Sequence, residues 1–243
     1  MTVTSLPLPP PANPITTDIP YRFWPRLGLF VLATVLFILS QGAGVMLLSP
    51  EKFKYLVFAA TNGAAAFALA VLFLVHYRRQ ARSMFVGSIL AKPLAIGAVA
   101  VIAAYGLCGL AISVLQLPQE NFMAQLLAGI AGWQLVIKIA SVIVLPPIAE
   151  ELFFRHYVLR LFPYQKSTAW KWIAVIITSA SFAAIHIQYG NWSTVVLIFA
   201  VSCIFAVARI VSGGLLVPIL LHMLAEVVGL SSDWMFTQLG LYG

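Results

Sequence analysis

The sequence predicts an all-α fold, a polytopic bundle of about seven transmembrane helices, and three observations support this prediction. Hydrophobic residues make up 62% of the 243 residues, and charged residues make up only 9%. The mean hydropathy is +0.99, whereas a soluble domain has roughly 45–50% apolar and about 25% charged residues. The chain also divides into apolar stretches that each approach the roughly 20 residues needed to cross a bilayer. We therefore expect lipid to surround most of the protein.

The predicted elements follow one another with short connections. Residues 1–20 contain six prolines and no convincing signal peptide, so a disordered Pro-rich tail is expected there. Residues 21–243 are interpreted as a single transmembrane domain. Proline and glycine mark several boundaries, at Pro50, Pro118 and the pair Gly213-Gly214. The predicted spans cover approximately residues 24–48, 55–76, 94–117, 133–162, 172–188, 193–211 and 215–230.

Lysine and arginine in the connections predict the orientation, because such residues are concentrated on the cytoplasmic side. A cytoplasmic N-terminus places most of them on that side and leaves only Lys52 and Lys54 in the connections of the other side. We therefore expect an integral protein of a bacterial inner membrane, a source favoured because the chain is short and lacks loop domains. The basic residues form no stripe with interleaved aromatics, so the lipid bilayer is an expected partner and nucleic acid is not.

Ionisable residues inside the predicted spans are the strongest functional signal. The chain has only seven acidic residues, and three of them, Glu150, Glu151 and Glu226, fall within spans together with His186 and His222. A charged side chain at the bilayer centre costs at least ~2.5–3.5 kcal/mol on insertion scales. Such residues usually face the interior of the bundle and mark a functional site.

Helical spacing separates two adjacent carboxylates. Glu151 and Arg155 are four residues apart, so they share a helix face and can form an ion pair. Glu150 points about 100° away around the helix, which leaves it free for proton transfer. His222 and Glu226 are also four apart. The sequence therefore predicts a structural role for one glutamate and a chemical role for the other.

Structural interpretations of the same residues remain open at this point. His186 alone would more often be a satisfied core histidine, and His222 with Glu226 could form an interhelical hydrogen bond. His76 and His156, beside arginines at span ends, are assigned to the membrane interface. The concentration of acid and imidazole in three late spans nevertheless favours catalysis or proton-coupled transport over packing alone.

Three short motifs in order resemble a known family. They lie in about residues 130–230 and read E-E-x-x-x-R at 150–155, F-x-x-x-H at 182–186 and H-x-x-x-E at 222–226. Their order and spacing resemble the type II CAAX prenyl endopeptidase and bacteriocin-processing (CPBP, Abi) family of intramembrane proteases. One motif alone would be a weak signal, but three on successive polar-bearing spans are fairly specific.

The resemblance implies an intramembrane endopeptidase that acts on a peptide or protein substrate at the membrane. The implied roles are water activation by Glu150 with help from His186, oxyanion support by His222 with residue 226, and a structural pair of Glu151 with Arg155. The chain departs from the family at Glu226, where an Asn is usual, because an ionised carboxylate cannot donate a hydrogen bond to an oxyanion. Either Glu226 is protonated, or the oxyanion site is built differently, or a metal is involved.

Zinc is the cofactor alternative, although no cofactor is favoured. His186, His222 and a glutamate would form a His₂Glu set, with another glutamate as base. Two other functions also stay open, a proton-coupled transporter or channel and a non-catalytic scaffold or immunity protein with a degenerate site.

The relative depth of Glu150 and His186 raises a geometric conflict. Counting residues from the span ends separates the two by roughly 10 Å in depth. The fourth helix must therefore shift or tilt, or the fifth must start later.

Overall fold

The computed structural model describes residues 21–243, so the predicted tail at 1–20 lies outside the described residues. The described residues form helices and connections without a β-strand, which confirms the all-α prediction. Six helices are long and apolar enough to cross a membrane, and they cover Phe23–Met46, Pro50–Val86, Ala91–Leu115, Thr168–Tyr189, Trp192–Ser212 and Leu216–Leu239. The fourth predicted span is not among these six, and the number of crossings stays a prediction.

The helices of this part of the chain are numbered here in order. They are α1 Phe23–Met46, α2 Pro50–Tyr77, α3 Ala81–Val86, α4 Ala91–Leu115, α5 Asn121–Leu126, α6 Gly132–Glu150, α7 Thr168–Ala184, α8 Trp192–Ser212 and α9 Leu216–Leu239. The short helices α3 and α5 lie in segments that were expected to be connections. Helix α9 is longer than expected and continues past Leu230 through polar residues to Leu239. One of these polar residues, Asp233, accepts hydrogen bonds from Gln119 and Tyr242.

The helical path does not stop at Glu150 but continues through the centre of the bundle. The segment Glu151–Val158 forms a π-helix and Leu159–Leu161 a 3₁₀ turn. All residues of the π-helical segment are buried, and the segment packs against α1, α2, α7 and α8. A helix that is buried on every side belongs to the core. Segments of π-helix are rare and often occur at functional sites.

Contacts between connections define two ends of the bundle. At the end we call the basic end, three hydrogen bonds join distant segments: Tyr21 Oη to the Leu161 carbonyl (2.7 Å), Arg26 Nη1 to the Arg160 carbonyl (2.9 Å) and the Ser88 amide to the Ser212 carbonyl (2.8 Å). At the opposite end, Lys138 Nζ donates to the Lys54 carbonyl (2.7 Å) and Asn191 Nδ2 to the Pro118 carbonyl (2.9 Å). The segments that meet at each end are those expected if successive long helices run in opposite directions. The assignment of the basic end to the cytoplasmic side stays a prediction.

His156 is buried inside the bundle rather than exposed at a helix end, and its depth relative to the membrane interface stays a prediction. Its side chain is 1% exposed and its ring packs edge-on against Phe73, Tyr77 and Tyr157 at centroid distances of 4.8, 4.9 and 4.9 Å. The sequence could not indicate this burial because the central position of the π-helical segment depends on tertiary packing. His76 is exposed, as expected for an interface residue.

Two glycines allow α3 to pack closely against the turn between α8 and α9. A Cβ atom on Gly214 would clash with backbone atoms of Val86 and Gly87. We expect Gly214→Ala to lower the free energy of unfolding by about 1–3 kcal/mol, because backbone on both sides must move. Thermal unfolding in detergent measures the effect.

Gly28→Ala is the matched control for this prediction. Gly28 lies inside α1, and a Cβ there would meet no atom within 4 Å. Alanine at this helical position should leave stability unchanged or raise it by roughly 0.5–1 kcal/mol. A similar loss of stability in both variants would contradict the close packing at Gly214.

Candidate active site

Three helical segments bring the six predicted site residues together. The end of α6 and the π-helical segment after it carry Glu150, Glu151 and Arg155. The segment that follows α7 carries His186, and α9 carries His222 and Glu226. Ionisable groups that are far apart in the sequence therefore meet inside the bundle, as their helical positions predict.

Glu150 lies between two imidazole rings. Its Oε2 atom is 3.9 Å from His186 Nε2 and 3.8 Å from His222 Nε2, and its side chain is mostly buried. Residue counting separated Glu150 from His186 by roughly 10 Å in depth, and their contact agrees with the expectation that the helices shift or tilt to bring them together. Counting residues from the span ends assumes that all helices are untilted and start at the same depth. The contact between Glu150 and His186 shows that α6 and α7 do not meet this assumption.

Glu151 forms a buried pair with Arg155 and orients His222. Glu151 Oε1 is 3.1 Å from Arg155 Nη1, and both side chains are 0% exposed. The same oxygen accepts a hydrogen bond from His222 Nδ1 at 2.9 Å. Because Nδ1 is occupied in this way, Nε2 of His222 is directed towards Glu150 and Glu226. The second glutamate thus determines how the imidazole is presented.

Arg155 is held by contacts that sequence reasoning did not identify. Its Nη2 donates to Ser202 Oγ (2.6 Å) and to the Ser202 carbonyl (3.1 Å). Its guanidinium carbon lies 4.7 Å from the ring centroid of Phe182 and 5.3 Å from that of Phe205, within range of cation–π attraction. A serine flanked by apolar residues in the middle of a predicted span was the available signal for Ser202.

The spacing of the second motif has a structural explanation. His186 Nδ1 donates a hydrogen bond to the carbonyl of Phe182, four residues earlier, at 2.7 Å. The two rings also pack together, with centroids 4.5 Å apart. Because a carbonyl only accepts, this bond places a proton on Nδ1 and leaves Nε2 facing Glu150.

Glu226 occupies the edge of the cluster. Its Oε1 atom is 3.6 Å from His222 Nε2, and its side chain is the most exposed of the predicted residues. The distance is too long for a direct hydrogen bond but short enough for a strong electrostatic interaction. The Glu226 carboxyl group therefore lies beside His222 Nε2 at the edge of the cluster.

The predicted zinc set does not occur as a preformed group of ligands. Within residues 21–243, no group of three or more His, Cys, Asp or Glu side chains is placed to hold a metal ion. His222 uses one ring nitrogen for Glu151, and His186 uses one for a backbone carbonyl.

A cavity of about 230 Å³ connects the cluster to the end of the bundle opposite the basic end. Aromatic and aliphatic side chains form most of its wall. Four carboxylates also line it, those of Glu120, Glu150, Glu226 and Asp233, while no Lys or Arg does. Burial raises the pKa of Glu120, which accepts a hydrogen bond from the Asn191 amide at 3.3 Å. Sequence reasoning missed Glu120 and Asp233 because both lie outside the predicted spans.

Comparisons with known proteins agree with the three motifs. The family model for type II CAAX prenyl endopeptidase Rce1-like proteins matches residues 132–228, which include all six predicted site residues. An uncharacterized 24.3 kDa protein of Escherichia coli is 36% identical over 197 residues, which cover 80% of this chain and 87% of that protein. No solved structure matches the chain significantly.

Proposed function

Because the chain belongs to the type II CAAX prenyl endopeptidase Rce1-like family, we propose that it hydrolyses a peptide bond within the membrane, using water activated by Glu150. The observation that supports this most directly is the position of Glu150 Oε2, 3.8 and 3.9 Å from two imidazole nitrogens beside the cavity. Polar atoms at such distances leave room for a bridging water. A water about 2.8 Å from Glu150 and from His186 would complete that arrangement.

The proposed reaction uses the groups in order. Glu150 takes one proton from the water, and the oxygen of this water attacks the carbonyl carbon of the substrate. His186 Nε2 accepts a hydrogen bond from the other O–H of the same water and so holds the nucleophile in position. His222, with Nδ1 engaged by Glu151, donates from a protonated Nε2 to the developing oxyanion. Glu150 then returns its proton to the leaving nitrogen as the C–N bond breaks.

Glu226 in this proposal supports the proton on His222 and does not itself bind the oxyanion. A carboxylate 3.6 Å from Nε2 stabilises a positively charged imidazole. The usual Asn would donate directly to the oxyanion instead. Both arrangements place one more stabilising group beside the reacting carbonyl, so the departure at residue 226 is compatible with hydrolysis.

Replacement of Glu226 separates these two ways of stabilising the oxyanion. We expect Glu226→Asn to retain cleavage within about tenfold of wild type, because the amide can donate directly, whereas Glu226→Ala should lose roughly 10²–10³-fold in kcat. Initial rates of peptide cleavage measure both. Equal inactivity of the Asn and Ala variants would show that the carboxylate itself is required.

The cavity indicates the kind of substrate. Its largely apolar wall suits an extended peptide or the end of a transmembrane segment. Four carboxylates without a lining Lys or Arg disfavour an acidic peptide. In the predicted orientation the cavity leads to the extracytoplasmic side of a bacterial inner membrane, so we propose that substrates enter from that side.

Cleavage by the purified full-length protein tests the proposal. A panel of membrane-associated peptides would be incubated with the protein in liposomes, with and without a zinc chelator, and analysed by mass spectrometry. Cleavage that survives chelation supports the side-chain mechanism. Loss on chelation with recovery on added zinc would instead assign a metal to the site. Proton flux without cleavage of any peptide would favour a transporter, and neither activity would favour a scaffold.

A further inference from the structure

The basic end contains arginines that no described carboxylate neutralises. Arg26, Arg160 and Arg209 lie at the same end of the bundle as His156, and these four residues are called the basic cluster here. Each of the three arginines lies close enough to act electrostatically on His156, and Arg26 Nη1 donates to the Arg160 carbonyl at 2.9 Å. Within residues 21–243, Arg155 with Glu151 is the one pair in which an Arg or Lys lies within 4.0 Å of a carboxylate.

Two arginines of the cluster are buried, and none of its arginines has a carboxylate within 4.0 Å among residues 21–243. Arg160 is 8% exposed and Arg209 is 4% exposed. Arg209 Nε and both ring nitrogens of His156 lack a hydrogen-bond partner among the described residues. A buried cation is costly unless it is paired, and Arg155 shows how this chain pairs one elsewhere. Arg160 Nη1 donates to Tyr77 Oη at 3.0 Å, but Arg209 donates to none of the described residues, so the basic cluster keeps donors and charge for an anion.

The basic cluster reaches the protein surface through its own Arg26, one further cation, Lys166, and an aromatic ring. Arg26 is partly exposed and Lys166 is exposed. Both lie against the ring of Tyr21, with the Arg26 guanidinium carbon 4.5 Å and Lys166 Nζ 5.2 Å from its centroid. An anionic group arriving at the membrane surface would meet these cations first and the buried arginines behind them.

The chemistry and the location indicate a phosphate group. The planar, forked donors of arginine match phosphate oxygens in pairs. Basic pockets between transmembrane helices on the cytoplasmic side commonly bind phospholipid headgroups. We propose that the basic cluster binds a phosphate group, supplied either by the headgroup of an anionic phospholipid or by a free phosphate ion. This site lies at the end of the bundle opposite the mouth of the cavity.

Thermal unfolding of the full-length protein in detergent tests the proposal without any measurement of proteolysis. Phosphatidylglycerol should raise the Tm of the wild type, and phosphatidylcholine at the same concentration should not. The double variant Arg160→Gln/Arg209→Gln should lose this response, because each arginine near a headgroup contributes about fivefold in affinity. A shift produced by inorganic phosphate alone would assign the free ion as ligand, and a shift with phosphatidylglycerol alone would assign the headgroup.

Arg79→Gln/Arg82→Gln is the matched control, since both arginines are exposed, belong to the same end and carry the same total charge. This control should keep the response to phosphatidylglycerol. If the buried double variant does not fold, Arg26→Gln decides the question, because that side chain is only partly buried and should weaken the response about fivefold. The proposal is overturned if both phosphate sources leave the wild-type Tm unchanged, if Arg26→Gln responds like the wild type, or if the control loses the response equally.

Discussion

Glu150→Gln is expected to lower kcat for peptide cleavage by about 10²–10⁴-fold, the contribution of a positioned general base. The amide has nearly the same shape as the carboxylate, so it should occupy the same space between His186 and His222. It cannot take a proton from water. Because Glu151 is fully buried and already engaged by Arg155 and His222, it is not positioned to replace Glu150 as the base.

Two further measurements make this prediction specific. Glu51→Gln removes an exposed carboxylate that does not line the cavity and should leave kcat unchanged. The Tm of Glu150→Gln should stay close to that of the wild type, which separates loss of chemistry from loss of folding. Cleavage by Glu150→Gln at the wild-type rate would show that another group activates the water and that the proposed roles are wrong.

Composition and span spacing were sufficient to predict the helical class and most helix positions, because lipid imposes a simple rule of length and apolarity. The same rule could not predict α3 and α5, which are too short to cross a membrane and depend on contacts with other elements. It also could not show that the path through Glu150 continues as a buried π-helical segment. That geometry depends on packing by α1, α2, α7 and α8.

For the candidate site, helical periodicity predicted the pairing of Glu151 with Arg155 and the different direction of Glu150. The four-residue spacing of His222 and Glu226 likewise predicted that they share a face. The relative depth of Glu150 and His186 could not be predicted, because residue counting contains no information on tilt. The contacts of Ser202 could not be predicted either, since they join segments that periodicity treats one at a time.

The largest effect on stability is expected at the buried ion pair. Arg155→Met should lower the free energy of unfolding by about 3–5 kcal/mol, because it leaves Glu151 charged at a fully buried position. The hydrogen bond from His222 to Glu151 remains but cannot replace the guanidinium. The substitution also removes both hydrogen bonds to Ser202. Unfolding in mixed micelles, followed by tryptophan fluorescence, measures the loss.

A double variant distinguishes the cost of an unpaired charge from the net contribution of the pair. Glu151→Gln/Arg155→Met carries no buried charge at these positions, and replacing a buried pair by neutral groups is often close to neutral in stability. We therefore expect the double variant to be more stable than Arg155→Met. Arg79→Met, at an exposed position, should change stability by no more than about 0.5 kcal/mol. If the double variant is as unstable as Arg155→Met, the stabilisation comes from contacts of Arg155 other than its pairing with Glu151. Those contacts are the bonds to Ser202 and the rings of Phe182 and Phe205, and the glutamate would then act mainly by orienting His222.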